Sequence, residues 1–272
     1  MRYSILASGS TGNAIYLETD RIRILIDAGL SGKQLDQRMK SVGADPSSLN
    51  AILVTHEHID HVKGAGVFAR RHRLPIYMNE STWEHLPSSV GAIPLEQQRV
   101  FSTYSTLEIG DLTVESFPLS HDAADPMGFC IHGPTGSLAL VTDTGYVSRR
   151  IVEKVAGADA LIFESNHDVE MLRMGSYPWN VKRRILSDHG HLSNEDAADA
   201  LLEVTGGNGE DVHLAHLSQD NNLTELAHLT VKGILEEGGL KVGKDIRLWE
   251  THPDRPTPLR QLDRKTSRNP AL

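Results

Sequence analysis

The residues best suited to chemistry lie in one short run, His56-Glu-His-Ile-Asp-His61, which places three histidines and one aspartate within six residues. Imidazole nitrogen and carboxylate oxygen are the ligand set of hydrolytic metal sites. The mixture suits divalent Zn²⁺ or Mn²⁺, with Fe²⁺ also compatible. The run follows directly on residues 51–55, an apolar segment that reads as a buried strand. A strand that exits into a tight loop can fan alternate side chains toward one point. His56 and His58 can then reach one ion, while Asp60 and His61, slightly further on, can reach a second. A lone His-x-His would read equally well as a solvated loop. The added Asp-His pair and the upstream Asp27-Ala-Gly29 argue against that.

Further ligands should lie at later strand ends. His121, Asp143 and His216 each sit just past an apolar, strand-like stretch, at 112–119, 138–142 and 212–215. Asp143 is suited to bridge two cations, because one carboxylate offers two oxygens. Any one of the three could be an ordinary loop residue, but together they complete one two-metal site.

These residues need a scaffold that brings distant strand ends together. The chain opens with strands near 3–7, 14–18 and 21–26, the first pair joined by the turn Ser8-Gly-Ser-Thr-Gly-Asn13. Ser31 reads as the N-cap of a helix to about residue 41, with Leu35, Met39 and Val42 on one face. Helices near 64–72 and 81–86 and strands near 75–78 and 107–117 follow. The second half then repeats the first. Gly12 and Asp27-Ala-Gly29 are echoed by Gly128 and Asp143-Thr-Gly145, an offset of 116 residues (143 minus 27). Each Asp-x-Gly precedes a helix and another apolar strand, 51–54 and 160–163. Two such β-then-α halves packed face to face predict an α/β fold, a four-layer αβ/βα sandwich over residues 1–251. Helices near 179–186, 195–204 and 223–237 complete the second half, with Ser193-x-x-Asp196 and Asn222-x-x-Glu225 as N-terminal caps, alongside strands near 212–215 and 246–249. Residues 252–272, proline-rich and charged, read as a disordered tail or an arm on another subunit.

Composition narrows the function. A net charge of −9 argues against non-specific nucleic-acid binding over the whole surface, and 5% aromatic content argues against an extended base-stacking platform. Cys130 is the sole cysteine, which excludes an intrachain disulfide or a thiolate zinc cluster; its apolar surroundings predict a buried, inert thiol. The N-terminus carries too short an apolar stretch for a signal peptide, and no run approaches the ~18 apolar residues of a membrane span. A cytoplasmic protein is expected, with no membrane partner.

His56-x-His-x-Asp-His61 with His121, Asp143 and His216 resembles the metallo-β-lactamase superfamily over nearly the whole chain. Within it, Ser8-Gly-Ser-Thr-Gly-Asn13, Leu25-Ile-Asp-Ala-Gly29, Glu164-Ser-Asn-His-Asp168, Asp188-His-Gly-His-Leu-Ser-Asn194 and His216-Leu-Ser-Gln-Asp-Asn-Asn222 are similar to the YycJ/WalJ (VicX) group. The resemblance implies that His56, His58, His121 and Asp143 hold one metal and that Asp60, His61, Asp143 and His216 hold the other. It implies phosphodiester hydrolysis, with exonucleolytic cleavage of DNA from a 5′ end as the leading activity. A small-molecule phosphodiesterase or a thioester or lactone hydrolase on the same site is the alternative. Asp60 stands where zinc β-lactamases use cysteine, which disfavours that activity. Flavodiiron-type relatives, a non-hydrolytic alternative, carry a carboxylate substitution and a flavodoxin domain that are not found here. The chain also lacks room for the long inserted domain of larger nucleic-acid-processing relatives, so an extended clamp would require a homodimer.

Other residues take secondary expectations. Asp60 could orient the attacking water. His191, in a Gly-His-Leu context, is expected beside the metals as a proton donor or phosphate ligand, with a helix-start histidine as its plain reading. Asp27 is expected behind the cluster, bonded to a ligating histidine. Ser10, Asn13, Asn166 and Asn222 lie on loops at the same sheet edge and could touch substrate, although turn chemistry explains Ser10 and Asn13 equally well. His189 and the basic runs Arg70-Arg-His-Arg73 and Lys182-Arg-Arg184 read better as solvated surface than as phosphate contacts.

Overall fold

The computed structural model describes residues 1–262. The first half begins as an antiparallel run of β1 (Arg2–Ala7), β2 (Ala14–Glu18) and β3 (Arg23–Ile26). Helix α1 (Gly32–Ser41) crosses to β4 (Ala51–Leu53), which pairs parallel with β3. The Ser31 side chain caps α1 in a reciprocal box with Gln34, as the sequence predicts. Short helices α2 (Ile59–Val62) and α3 (Ala65–His72) lead to β5 (Ile76–Met78), and α4 (Glu80–Glu84) precedes an edge strand, β6 (Gln98–Val100).

The second half is an antiparallel meander of β7 (Thr106–Ile109), β8 (Leu112–Pro118), β9 (Met127–Gly133) and β10 (Gly136–Val141). Helix α5 (Arg149–Val155) crosses to β11 (Ala160–Glu164), parallel to β10. Helices α6 (Val169–Met174), α7 (Trp179–Ile185) and α8 (Asn194–Val204) precede β12 (Glu210–Ala215), and α9 (Thr224–Glu237) precedes β13 (Ile246–Glu250). The units β2–β3–α1–β4 and β9–β10–α5–β11 share one topology, a hairpin followed by a parallel crossover, so the repeat in the sequence is a repeat in the fold.

A two-residue strand, β14 (Arg260–Gln261), completes the first sheet, whose order is β14-β1-β2-β3-β4-β5-β6; the second runs β13-β12-β11-β10-β9-β8-β7. Three buried clusters separate four layers. In β3, Ile24 and Ile26 face the other sheet, whereas Leu25 packs under helices with Leu35 and Phe68. In β10, Leu138 and Leu140 face the other sheet, and Ala139 and Val141 pack against Leu201 and other helix residues. A strand covered on both faces must be apolar at every position, which explains the continuous apolar runs.

Two expectations need correction. Residues from 252 on do not begin a loose tail or an arm on another subunit: the chain stays packed on its own first sheet through Leu262. β14 pairs antiparallel with β1, the Thr257 N–H donates to the Ile5 carbonyl at 2.9 Å, and Leu262 is 2% exposed between the sheets. The segment is ordered by an open sheet edge, a long-range cause that local composition does not register. Residues 263–272, the rest of that expected tail, lie outside the described residues. Nor does Asn222 cap α9. Leu223 holds that position with no side-chain bond, while the Asn222 amide is buried and donates to the Ser165 and Asn166 carbonyls at 3.0 and 3.1 Å. The other predicted cap, Ser193 with Asp196, forms a capping box.

Candidate metal centre

The predicted ligands converge at one edge of the two sheets, carried by strand exits. β4 runs out into His56, and His58 turns the chain as the N-cap of α2, which places Asp60 and His61 on the first turn of that helix. Asp143 and His216 follow β10 and β12 directly, in left-handed backbone conformations with φ of 65° and 57°. Asp27, at the matching place after β3, has φ of 57°. Such backbone costs on the order of 1–3 kcal/mol for a non-glycine residue, and surrounding structure must hold it. Part of that structure is close loop packing at the Asp-x-Gly glycines. A Cβ on Gly29 would fall 1.6 Å from the Asp60 carbonyl oxygen, and one on Gly145 would fall 2.3 Å from the Asp188 carbonyl. Each glycine thus admits the loop that carries a neighbouring site residue.

The donor atoms form overlapping groups. His56, His58 and His121 offer one set, and Asp60, His61 and His216 another, with the atoms in each set within 4.8 Å of one another. Asp143 lies between them. Its Oδ2 is 3.3 Å from His61 Nε2, and its Oδ1 is 3.4 Å from His216 Nε2 and 3.8 Å from His121 Nε2. Asp60 Oδ2 approaches His61 Nε2 at 3.5 Å and His216 Nε2 at 3.6 Å.

The opposite ring nitrogens are held from behind. His61 Nδ1 bonds Asp27 Oδ2 at 2.8 Å, His121 Nδ1 the Gly190 carbonyl at 3.2 Å, His216 Nδ1 Glu164 Oε1 at 3.1 Å, and His56 Nδ1 the Thr55 hydroxyl at 3.0 Å. Acceptors behind Nδ1 fix the proton there and leave Nε2 as the bare nitrogen facing the centre. Asp27 is itself anchored by the Thr55 N–H at 2.9 Å, and Glu164 by the Thr144 N–H at 2.8 Å. The Ser8 hydroxyl accepts from the His216 N–H at 2.7 Å, so the first half's opening turn fastens a donor of the second half.

This arrangement fits divalent cations. His56 Nε2, Asp143 Oδ2 and His216 Nε2 are buried without a hydrogen-bond partner, a costly state for polar atoms unless a cation is their partner. Electrostatics agree. Burial opposes charge on every group here, yet Asp143, Asp27 and Asp60 push the His61 imidazole well above its usual range. Against the same burial, Asp143 raises His216 to about 10. Burial itself, with the neighbouring His61, drives His56 well below its usual range. The carboxylates of Asp60 and Asp143 stay ionised well below the usual range despite burial, and Glu164 is held at about 2 by His191. The cluster is a nest of anions whose charge divalent ions held by neutral imidazoles would balance.

The remaining predicted residues divide. His191 joins the centre: its Nδ1 donates to Glu164 Oε1 at 2.7 Å, and its ring lies 5.0 Å from that of His121 and 5.2 Å from that of His216. Asn13 reaches it too, with Nδ2 3.1 Å from His61 Nε2 and 3.3 Å from Asp60 Oδ2. Asn166 supports it by donating to the His216 carbonyl at 2.7 Å. Ser10 stays exposed at the tip of its turn, and the Asn222 amide is buried in bonds to the Ser165 and Asn166 carbonyls. His189 Nδ1 lies 3.2 Å from the Ser120 hydroxyl, its one hydrogen bond among the described residues. Much of each basic run is occupied. Arg70 bonds the Ala92 carbonyl, Arg71 pairs with Asp36, Lys182 donates to the carbonyls of Arg173 and Gly175, and Arg184 pairs with Asp122. Cys130 is buried as expected, and burial pushes its thiol up to about 12.

Sequence reasoning overlooked Glu164 as a site residue. Its signal was there: an acid closing a strand whose other four residues are apolar, in the segment that corresponds to the exit of β4 through Thr55. Thr144 and Ser8, both buried, gave no comparable signal.

Among the described residues, no helix is long and apolar enough to cross a membrane. A family model described as "Beta-lactamase superfamily domain" matches residues 22–245. The chain is 50% identical over 262 residues to a Bacillus anthracis protein named exodeoxyribonuclease YycJ, covering 96% of this chain and 99% of that one. It is 46% identical over 263 residues to the exodeoxyribonuclease WalJ of Streptococcus pneumoniae, covering 96% and 98% respectively. Zn²⁺-bound PqqB from Methylobacterium extorquens superposes with a TM-score of 0.72 at 17% identity, over 95% of this chain and all of that one, a likeness of fold.

Proposed function

The chain belongs to the beta-lactamase superfamily and is a metal-dependent hydrolase of the metallo-β-lactamase fold; from that premise we propose that it is a DNA exonuclease, acting from 5′ ends, with two divalent ions at the strand-end centre. The observation that carries this reading is the position of Asp143 between two donor sets, His56, His58, His121 on one side and Asp60, His61, His216 on the other. Full-length identity of 50% and 46% to two proteins named exodeoxyribonucleases supports DNA as the substrate. Zn²⁺ and Mn²⁺ suit the nitrogen and carboxylate donors best, and Fe²⁺ is compatible.

Held by these residues, two such ions would supply a water of lowered pKa and positive charge to offset that on the phosphoryl oxygens. The chain's own residues do the rest. Asp60, 18% exposed at the side chain, accepts a hydrogen bond from the attacking water and orients it. Glu164 accepts from His191 Nδ1–H, so the doubly protonated ring can give its Nε2 proton to the leaving oxygen and is left as the neutral Nδ1–H tautomer. Asp27 and Glu164 keep His61 and His216 in the tautomer that presents Nε2. Contacts with nucleic acid beyond one protomer's site would come from a homodimer.

The test is metal-reconstituted protein offered 5′-phosphorylated single- and double-stranded DNA, RNA and an aryl phosphodiester. Release of nucleotides from 5′-phosphorylated DNA is expected. Inactivity on all four, with turnover of a thioester or lactone, overturns the reading.

A further inference from the structure

We propose that a cleft lined by Tyr104, Tyr146 and Arg150, beside the metal centre, is a nucleotide subsite for the strand being cut. This rests on the DNA reading above and adds where a nucleotide away from the reacting bond is held. The cleft has a volume of about 340 Å³, with Pro118, Leu119 and Ile151 as apolar lining. That is small-ligand size for an apolar pocket with few polar groups.

Three observations point to a nucleotide as its occupant. First, the chain has six tyrosines, and only Tyr104 and Tyr146 are exposed, at 61% and 47%; both line this one cleft. Exposed aromatic rings flanking an apolar floor offer stacking faces, and every base has a π-face to match. Second, Arg150 lies over the Tyr104 ring at 4.9 Å and has no carboxylate partner among the described residues. Its neighbour Arg149 is engaged with Glu153. In a protein of net charge −9, an unpaired guanidinium on a tyrosine face is placed for a phosphate. Third, Tyr104 is held in a left-handed conformation, φ 63°, which a bulky residue adopts only under constraint. The constraint is visible: the Ser105 and Ser116 hydroxyls both donate to the Ser102 carbonyl and pin the turn that projects the ring.

The cleft is joined to the centre by backbone. Its wall residue Ser120 precedes His121, and Tyr146 follows Asp143 by three positions. The two segments are tied together, since the Gly145 N–H donates to the Ser120 carbonyl at 2.8 Å and the Thr144 hydroxyl to the Tyr146 carbonyl at 2.8 Å. The segments that carry His121 and Asp143 thus also wall the cleft, and in the proposed arrangement the nucleotide next to the scissile phosphate lies along them. This is a local two-ring clamp, consistent with a low overall aromatic content.

The test measures binding separately from cleavage. Anisotropy of a labelled, 5′-phosphorylated phosphorothioate oligonucleotide is read for metal-loaded wild type, the Tyr104→Ala/Tyr146→Ala double variant, Arg150→Ala and Arg149→Ala. The double variant is expected to raise Kd about tenfold or more, the loss typical of one stacked base. Arg150→Ala should flatten the salt dependence of binding, and Arg149→Ala should match wild type. In turnover, the double variant should lower the preference for oligonucleotide over an aryl phosphodiester by a similar factor. Wild type that binds and degrades DNA while the double variant does so equally well removes the subsite and leaves the nuclease reading standing. Wild type that neither binds the oligonucleotide nor cuts DNA overturns both.

Discussion

Asp27 and Asp143 lie at opposite nitrogens of the same ring, that of His61. Asp27 Oδ2 lies 2.8 Å from Nδ1, and Asp143 Oδ2 lies 3.3 Å from Nε2. The two aspartates are 116 positions apart in the repeated halves and share a left-handed backbone, φ 57° and 65°. The duplicated element thus supplies a rear support in one half and a central donor in the other.

Replacing the rear support should loosen the metal. Asp27→Asn removes the carboxylate that fixes His61 Nδ1, and affinity for the ion at Asp60, His61 and His216 should fall 10–100-fold, the usual effect of losing such a partner. A chelator-competition titration should show one ion weakened far more than the other. Equal retention of both would show that Thr55 and packing alone hold the ring.

His191→Ala should keep its metals and lose rate. A proton donor contributes typically 10²–10⁴-fold. The loss should be large for a DNA linkage, whose leaving oxygen needs the proton, and small for an activated aryl phosphodiester. Full rate on both substrates, with metal content intact, would remove the proposed role.

Stability should fall with acid through His213, which is buried and takes the Tyr3 hydroxyl's hydrogen bond at Nε2, 2.7 Å away. Burial, aided by Arg260, lowers its pKa from 6.5 to about 3. The unfolded chain therefore binds the extra proton. Stability present above pH 6.5 is lost as pH falls toward 3, at about 1.4 kcal/mol per pH unit for this group. Urea unfolding of wild type and His213→Gln between pH 7 and 4 should show a shallower slope in the variant. Parallel slopes would exclude His213.

Truncation after Thr251 should destabilise the fold. It removes β14 from the edge of β1 and takes Leu262 out of the core between the sheets. Burying one leucine is worth about 1.5–3 kcal/mol, so Tm should drop by roughly 3–12 °C. The bared edge should also favour association. An unchanged Tm would show that the segment only rests on the sheet.

The sequence by itself determined the donor set and the architecture, because both rest on local signals. His56 to His61 is contiguous, Asp143, His121 and His216 follow apolar strands, and the Asp-x-Gly echo marks two like halves. Tertiary structure decided which atoms meet. Glu164 turns toward His191 and His216 across loops, and Ser8 reaches His216 across 208 residues. Asn222, on a site-edge loop in the sequence, is drawn into backbone bonding, and residues after 251 are drawn onto an open strand. Ligand identity is written in residue type and strand period, which neighbours in the chain express. Hydrogen-bond partnership and edge pairing depend on groups brought together only when the two halves pack, and no local pattern encodes that meeting.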